Sequence, residues 1–243
     1  GGLCPYDDVT SMAIPYLTDR EALRQLIPEE FEITQPLLVI NYQKRNAVRW
    51  MGVSQYSLVT VSTPVRYIDT PDPIDGVFHH VLWEDKTAPI LGGREEAGMP
   101  KVFADIPEYR RIDSDISINL SHEGRTFLEM ELVMDREYTP DEIALMNENH
   151  GRVVQLGWRY IPKIGPIPGA ALSEATYYPV DNEYSSGCEC SGTIAWTRPT
   201  FQQHPMQAGI IATLADLPVR EYLPGSFRKG KSWMRMDLAR SLA

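Results

Sequence analysis

Along this chain, apolar residues recur at every second position far more often than at helical spacing. "SLVTVSTPVRY" at 57–67 sets Val59, Val61, Thr63 and Val65 on one face. "VFHHVLWE" at 77–84 alternates Phe78, His80 and Leu82 against His79, Val81 and Trp83. "TFLEMELVM" at 126–134 turns Leu128, Met130, Leu132 and Met134 one way and Glu129 and Glu131 the other. "LLVINY" at 37–42, "DISINL" at 115–120 and "WMRMDLA" at 233–239 complete the strand candidates. A period of two is what a pleated strand with one buried face requires.

Helical spacing is confined to three stretches. "REALRQLI" follows Thr18 and Asp19, either of which can cap it, and places Leu23, Leu26 and Ile27 on one face. "TPDEIALMNEN" at 139–149 has Thr139 as cap, Pro140 at the first helical position and acids in the first turn. "PMQAGIIATLADL" at 205–217 is the third. "IPKIGPIPGA" at 161–170 reads as extended and turn-rich. With 19 prolines punctuating the strands, the expectation is a mainly β (α+β) chain, a closed barrel or sandwich with a few peripheral helices. No composition shift or repeat divides it, so residues 1–243 are expected to form a single domain.

Composition narrows the function classes. A net charge of −10 argues against a nucleic-acid binder, which needs a basic stripe to neutralise phosphates. No apolar run approaches a membrane span, and the N-terminus lacks the basic-then-apolar layout of a signal peptide. The three cysteines, Cys4, Cys188 and Cys190, have no framework spacing and fit a reducing compartment, so a cytoplasmic location is expected. Cys188-Glu189-Cys190 reads as two thiols at a strand start, because no second Cys/His pair has zinc spacing. Neither a metal nor a cofactor is expected.

Familiar catalytic constellations are absent: there is no GxSxG, HExxH, Walker or GxGxxG motif. His79 and His80 are adjacent, and adjacent strand residues face opposite ways, so they do not share a metal. "GGREEAGMPKVF" at 92–103 stands apart. It holds Lys101, one of only six lysines, between Pro100 and Val102 with Met99 and Phe103 nearby. A lysine amine is a nucleophile only when neutral, and desolvation or a neighbouring cation favours that form. Apolar flanks alone are not specific, since Lys163 in "IPKIGP" has them too.

"GREEAGMPK" resembles the Gly-Arg-Glu, then Pro-Lys, active-site segment of the acetoacetate decarboxylase superfamily. "YLTDREALRQLIPEEFEITQPLLV" at 16–39, "AWTRP" at 195–199 and "DLPVREYL" at 216–223 resemble further segments of that family, in order. The resemblance implies a β-cone or closed barrel, assembled as a homo-oligomer of four or more copies. It implies that Lys101 forms an imine with a small oxo acid, and that Arg94 and Glu95 shape the lysine loop.

The chain also departs from the family pattern. Val102 stands where decarboxylases carry a second lysine, and "PYDDVTSMAI" lacks their carboxylate-holding arginine. Asn41 stands at an inward glutamate of the family, and Gln55 or Tyr56 at a second. The charged apparatus for decarboxylation therefore reads as neutralised, with Asn41, Gln55 and Tyr56 as neutral substrate-binding groups. Neutral donors suit an aldolase-dehydratase that joins pyruvate to an aldehyde. Decarboxylation of a 3-oxo acid is the alternative, and a non-catalytic binding barrel the second alternative.

Overall fold

The computed structural model describes residues 2–242. Strand β1 (Leu3–Leu17) leads to helix α1 (Arg20–Arg24), strand β2 (Phe31–Ile33) and the long strands β3 (Leu37–Val48), β4 (Ser54–Tyr67) and β5 (Ile74–Glu84). Helix α2 (Thr87–Ala97) connects β5 to the short strand β6 (Lys101–Phe103). Then come β7 (Arg110–Ile112), β8 (Asp115–His122), β9 (Arg125–Glu137), helix α3 (Pro140–His150) and β10 (Arg152–Pro162). Strand β11 (Ala170–Trp196), helix α4 (Ala208–Ala215), β12 (Glu221–Tyr222), β13 (Gly225–Arg235) and β14 (Arg240–Ser241) complete the chain.

The strands form one hydrogen-bonded network in the order β10-β5-β4-β3-β1-β13-β11-β9-β8-β7. Its first seven strands close on themselves, because the early half of β11 also pairs with β10 from Arg152↔Asp181 to Pro162↔Ala170. Closure satisfies the edge groups that an open sheet would expose. The later half of β11 leaves the ring and pairs with β9, carrying β9, β8 and β7 as an outer flap. The main core lies outside the ring, between barrel wall, flap and helices. There Ile14, Tyr16, Leu38, Ile40, Val59, Val61 and Trp83 pack with Ile116, Leu128, Met130 and Ile211.

Local chemistry accounts for the helices. Asp19 caps α1, its carboxylate accepting from the amides of Glu21 (3.1 Å) and Ala22 (3.0 Å). Thr139 and Glu142 form a reciprocal capping box on α3, with Pro140 in the first turn. The 205–217 stretch is helical over Ala208–Ala215. Among the described residues, no helix is long and apolar enough to cross a membrane.

Two strand expectations change. The 233–239 candidate is the end of β13 followed by a 3-10 turn at Met236–Leu238, which the Arg235–Asp237 ion pair braces (2.7 Å). Strand β5 does not keep strict alternation. Val61 pairs with Val81 but Ser62 pairs with His79, so β5 holds one extra residue in a bulge. A bulge shifts the phase of side chains beyond it. Val77 and His79 face the barrel interior on one side of it, and Leu82 and Glu84 on the other.

Candidate active site

The barrel interior is a cavity of about 470 Å³. Lys101 stands in its wall, next to Leu82 through the parallel β5–β6 pairing. Its neighbours explain the sequence motif residue by residue. Gly98 ends α2 in the left-handed conformation (φ 66°), and the Met99 amide turns back to the Gly93 carbonyl at 3.0 Å. Gly93 has no Cβ, and one placed there would lie 2.6 Å from Lys101 Nζ. The lysine side chain therefore occupies the space that this glycine leaves on α2. Arg94 reaches back and donates to the Lys101 carbonyl at 2.9 Å, pinning the backbone of the loop. Arg94 thus shapes the lysine loop without lining the cavity, and Glu95 is exposed.

Lys101 is 6% exposed, and its Nζ lies 2.8 Å from Glu84 Oε1 and 3.1 Å from the Pro89 carbonyl. Glu84 is wholly buried, and its Oε2 has no hydrogen-bond partner among the described residues. A buried carboxyl oxygen without a donor is costly unless a ligand supplies one. Of all the cavity-lining residues, Glu84 is the one acid.

A polar ladder climbs β3 from the lysine level. With its amide oriented to suit its surroundings, Asn41 donates to Ser11 Oγ (2.9 Å) and accepts from Gln43 Nε2 (2.9 Å). Gln43 Oε1 then accepts from Arg45 Nη2 at 3.0 Å. Arg45 is 7% exposed, donates to Tyr56 Oη at 2.8 Å and stacks on the Tyr6 ring, 4.1 Å from its centroid. Burial opposes its charge, but Tyr56, Tyr6 and Glu84 outweigh that and raise Arg45 above the usual arginine value. No carboxylate forms an ion pair with it among the described residues. On the wall nearer Pro100, His79 Nε2 contacts Gln155 Oε1, and both residues line the cavity. Burial, reinforced by the Lys101 charge and opposed by the Gln155 contact, lowers His79 to about 4, so its ring is neutral at pH 7.

The expected residues are thus partly reunited. Lys101 and Asn41 line the cavity. Tyr56 is buried behind Arg45 and reaches the cavity only through it. Gln55 is exposed on the outside of β4, and Gln43 supplies the amide inside. The expectation of a neutralised site is corrected by Glu84 and Arg45. Glu84 was hidden because the bulge reverses the phase of β5. Arg45 was hidden because the apolar run of β3 stops at Tyr42, short of the inward positions Gln43 and Arg45. An acid closing an apolar strand just before the lysine motif was the available signal for Glu84. Lys163 lies exposed between β10 and β11.

These features coincide with a family. The acetoacetate decarboxylase (ADC) family profile matches residues 3–240, and the chain belongs to that family. Acetoacetate decarboxylase of Acidiphilium cryptum is 27% identical over 215 residues, covering 88% of this chain and 79% of that protein. Acetoacetate decarboxylase of Burkholderia mallei is 27% identical over 223 residues, covering 86% and 77%. Among solved structures, the Legionella pneumophila acetoacetate decarboxylase superposes with a TM-score of 0.79 at 15% identity, covering 100% of this chain and 88% of its own. The enduracididine biosynthesis enzyme MppR, complexed with pyruvate, gives 0.73 at 16% identity, covering 100% and 91%. The decarboxylase-like barrel is therefore shared by decarboxylases and by MppR.

Proposed function

We propose that this chain is a Schiff-base lyase on small oxo acids, and that it joins pyruvate to an aldehyde and dehydrates the product. The observation that carries the imine chemistry is the buried Lys101–Glu84 pair at 2.8 Å in the cavity wall. Transfer of one proton from Lys101 Nζ to Glu84 within the pair supplies the neutral amine that the attack needs. The amine attacks the keto carbon; Glu84 gives its proton to the oxygen, takes one from the attacking nitrogen and delivers that as well, so the oxygen leaves as water and a protonated imine remains beside the Glu84 carboxylate. The imine nitrogen then accepts electrons when the Glu84 carboxylate removes a methyl proton, giving an enamine. The enamine carbon attacks the aldehyde, whose oxygen takes the proton held by Glu84; Glu84 then removes a second proton from the same carbon and delivers it to the hydroxyl, which leaves as water, and hydrolysis of the imine frees the product and Lys101.

Two observations support condensation over decarboxylation. The cavity, at about 470 Å³, lies within the ~300–1,000 Å³ range of sites for drug-sized ligands, more room than one four-carbon acid needs. Its neutral groups, Asn41, Gln43, Gln155 and the uncharged His79, are donors and acceptors suited to an aldehyde oxygen. MppR, a structural neighbour, has been captured with the condensation product of pyruvate and imidazole 4-carboxaldehyde. The second reading, decarboxylation of a 3-oxo acid, draws on the curated relatives and on Arg45, a buried cation able to hold a carboxylate. Incubation with pyruvate and an aldehyde panel, and separately with acetoacetate, distinguishes them by mass analysis of products. A dehydrated condensation product, with slow carbon dioxide release from acetoacetate, is expected. Rapid Lys101-dependent release of carbon dioxide without any condensation product overturns this reading in favour of the second.

A further inference from the structure

The cavity is basic in an acidic chain. Arg45, Lys101 and Arg228 line it, against the single acid Glu84. Pairing Lys101 with Glu84 leaves Arg45 and Arg228 without a charge partner in the wall. Among the described residues, none of Arg45, Arg228, Lys229 and Lys231 forms an ion pair. Glu189 of β11, opposite Ser226, is held by Arg136 at 3.2 Å. Arg228 Nε is buried without a hydrogen-bond partner, and the guanidinium sits 5.2 Å from the centroid of the Tyr184 ring. Lys229 and Lys231 alternate with Arg228 on β13 and lie exposed on the other face of the strand, Lys229 Nζ 5.8 Å from the centroid of the Phe227 ring and Lys231 opposite Glu183 of β11.

The two arginines stand on opposite sides of one strand. Arg228 pairs with Ser11 of β1, and Ser11 pairs with Gln43 of β3, one inward position from Arg45. At a strand spacing of ~4.8 Å, β13 and β3 are about 10 Å apart at the backbone, a gap that arginine side chains from both walls shorten. One carboxylate satisfies Arg45. It leaves Arg228 with an unpaired, partly desolvated guanidinium, the residue type best matched to a second planar anion.

We infer that the cavity takes a dicarboxylate: one carboxylate on Arg45, and a second on Arg228. This deepens the reading of the cavity as an oxo-acid site by specifying that the substrate pair carries a second carboxylate, either on the oxo acid or on its carbonyl partner. Calorimetric titration of the folded protein with glutarate and with butyrate tests it without any imine chemistry. A hydrogen-bonded charge pair gained at Arg228 corresponds to about tenfold or more in affinity, so glutarate is expected to bind at least that much more tightly than butyrate. Arg228→Met, which keeps an apolar stem, is expected to erase that margin while leaving butyrate binding within about twofold, a change too small to involve a charge pair. Arg228→Lys, a second variant in case the methionine form fails to fold, is expected to keep part of the margin and its salt sensitivity. Equal affinities for the two acids, a margin that survives in folded Arg228→Met, or one undiminished in Arg228→Lys, would overturn the inference. Borohydride trapping with pyruvate is read separately. Failure to label Lys101 alongside a persistent glutarate preference refutes the imine reading and upholds the two-anion cavity.

Discussion

At the scale of single residues, the lysine motif is a packing solution. Gly93 makes room for the Lys101 side chain, and Arg94 pins its carbonyl. Gly93→Ala would put a methyl group 2.6 Å from Nζ and push the amine away from Glu84. A misplaced reacting group costs on the order of a hundredfold in rate, so the trapping rate of the Gly93→Ala protein is expected to fall by about that factor. Circular dichroism should show the fold retained; an unchanged trapping rate would show that the lysine does not need this space. Glu84→Gln keeps the shape and removes the proton acceptor. Losing a positioned acid–base group typically costs ~100- to 10,000-fold, and single-turnover imine formation should slow within that range. A rate within a few-fold of the wild type would remove Glu84 from the proton path.

At the scale of elements, β5 carries most of what the site depends on. Its bulge sends His79 and Glu84 into the cavity and leaves His80 outside, its Nε2 at 2.8 Å from Thr63 Oγ1. Burial lowers both histidines to about 4, and each is also disfavoured as a cation by a neighbour, Lys101 for His79 and His79 for His80. The unfolded chain then takes up protons near the ordinary histidine value of ~6.5, while the folded protein does so only near 4. Stability contributed by the neutral rings is complete above ~6.5 and is lost as pH falls toward 4. The melting temperature should therefore drop across that window. A His79→Gln, His80→Gln double variant should flatten the drop; a slope unchanged in that variant would assign acid sensitivity to other groups.

The same element scale shows what could be read from sequence. Strands β4, β8 and β9 were legible because one face meets the apolar core while the other meets solvent on β8 and β9 and the cavity on β4. Strands β1, β10, β11 and β13 carried no such alternation, because their inward faces line a polar cavity, with Ser11, Gln155, Asn182, Ser226 and Arg228 where a filled barrel would place aliphatics. Helix α2, "TAPILGGREEA", was concealed by Pro89 and two glycines, all poor helix formers. The site was legible at Lys101 and Asn41, where the family motif marks position. It was illegible at Glu84 and Arg45, where a bulge and a polar interior decide orientation.

At the scale of the whole molecule, ring closure makes the cavity and the flap seals its outer wall. Trp83 links these layers, donating from Nε1 to Gln207 Oε1 at 2.6 Å while Gln207 donates to the Phe103 carbonyl at 2.9 Å. The architecture thus presents two very different lysines with similar apolar sequence neighbours. Lys101 is buried against Glu84, and Lys163 is exposed in the β10–β11 connection. The most direct test of the imine account is borohydride reduction in the presence of pyruvate, followed by peptide mapping. The account predicts a reduced adduct on the peptide containing Lys101, absent from Lys101→Ala and retained in Lys163→Ala. An adduct on Lys163, or no adduct at any pH at which the protein stays folded, would contradict it.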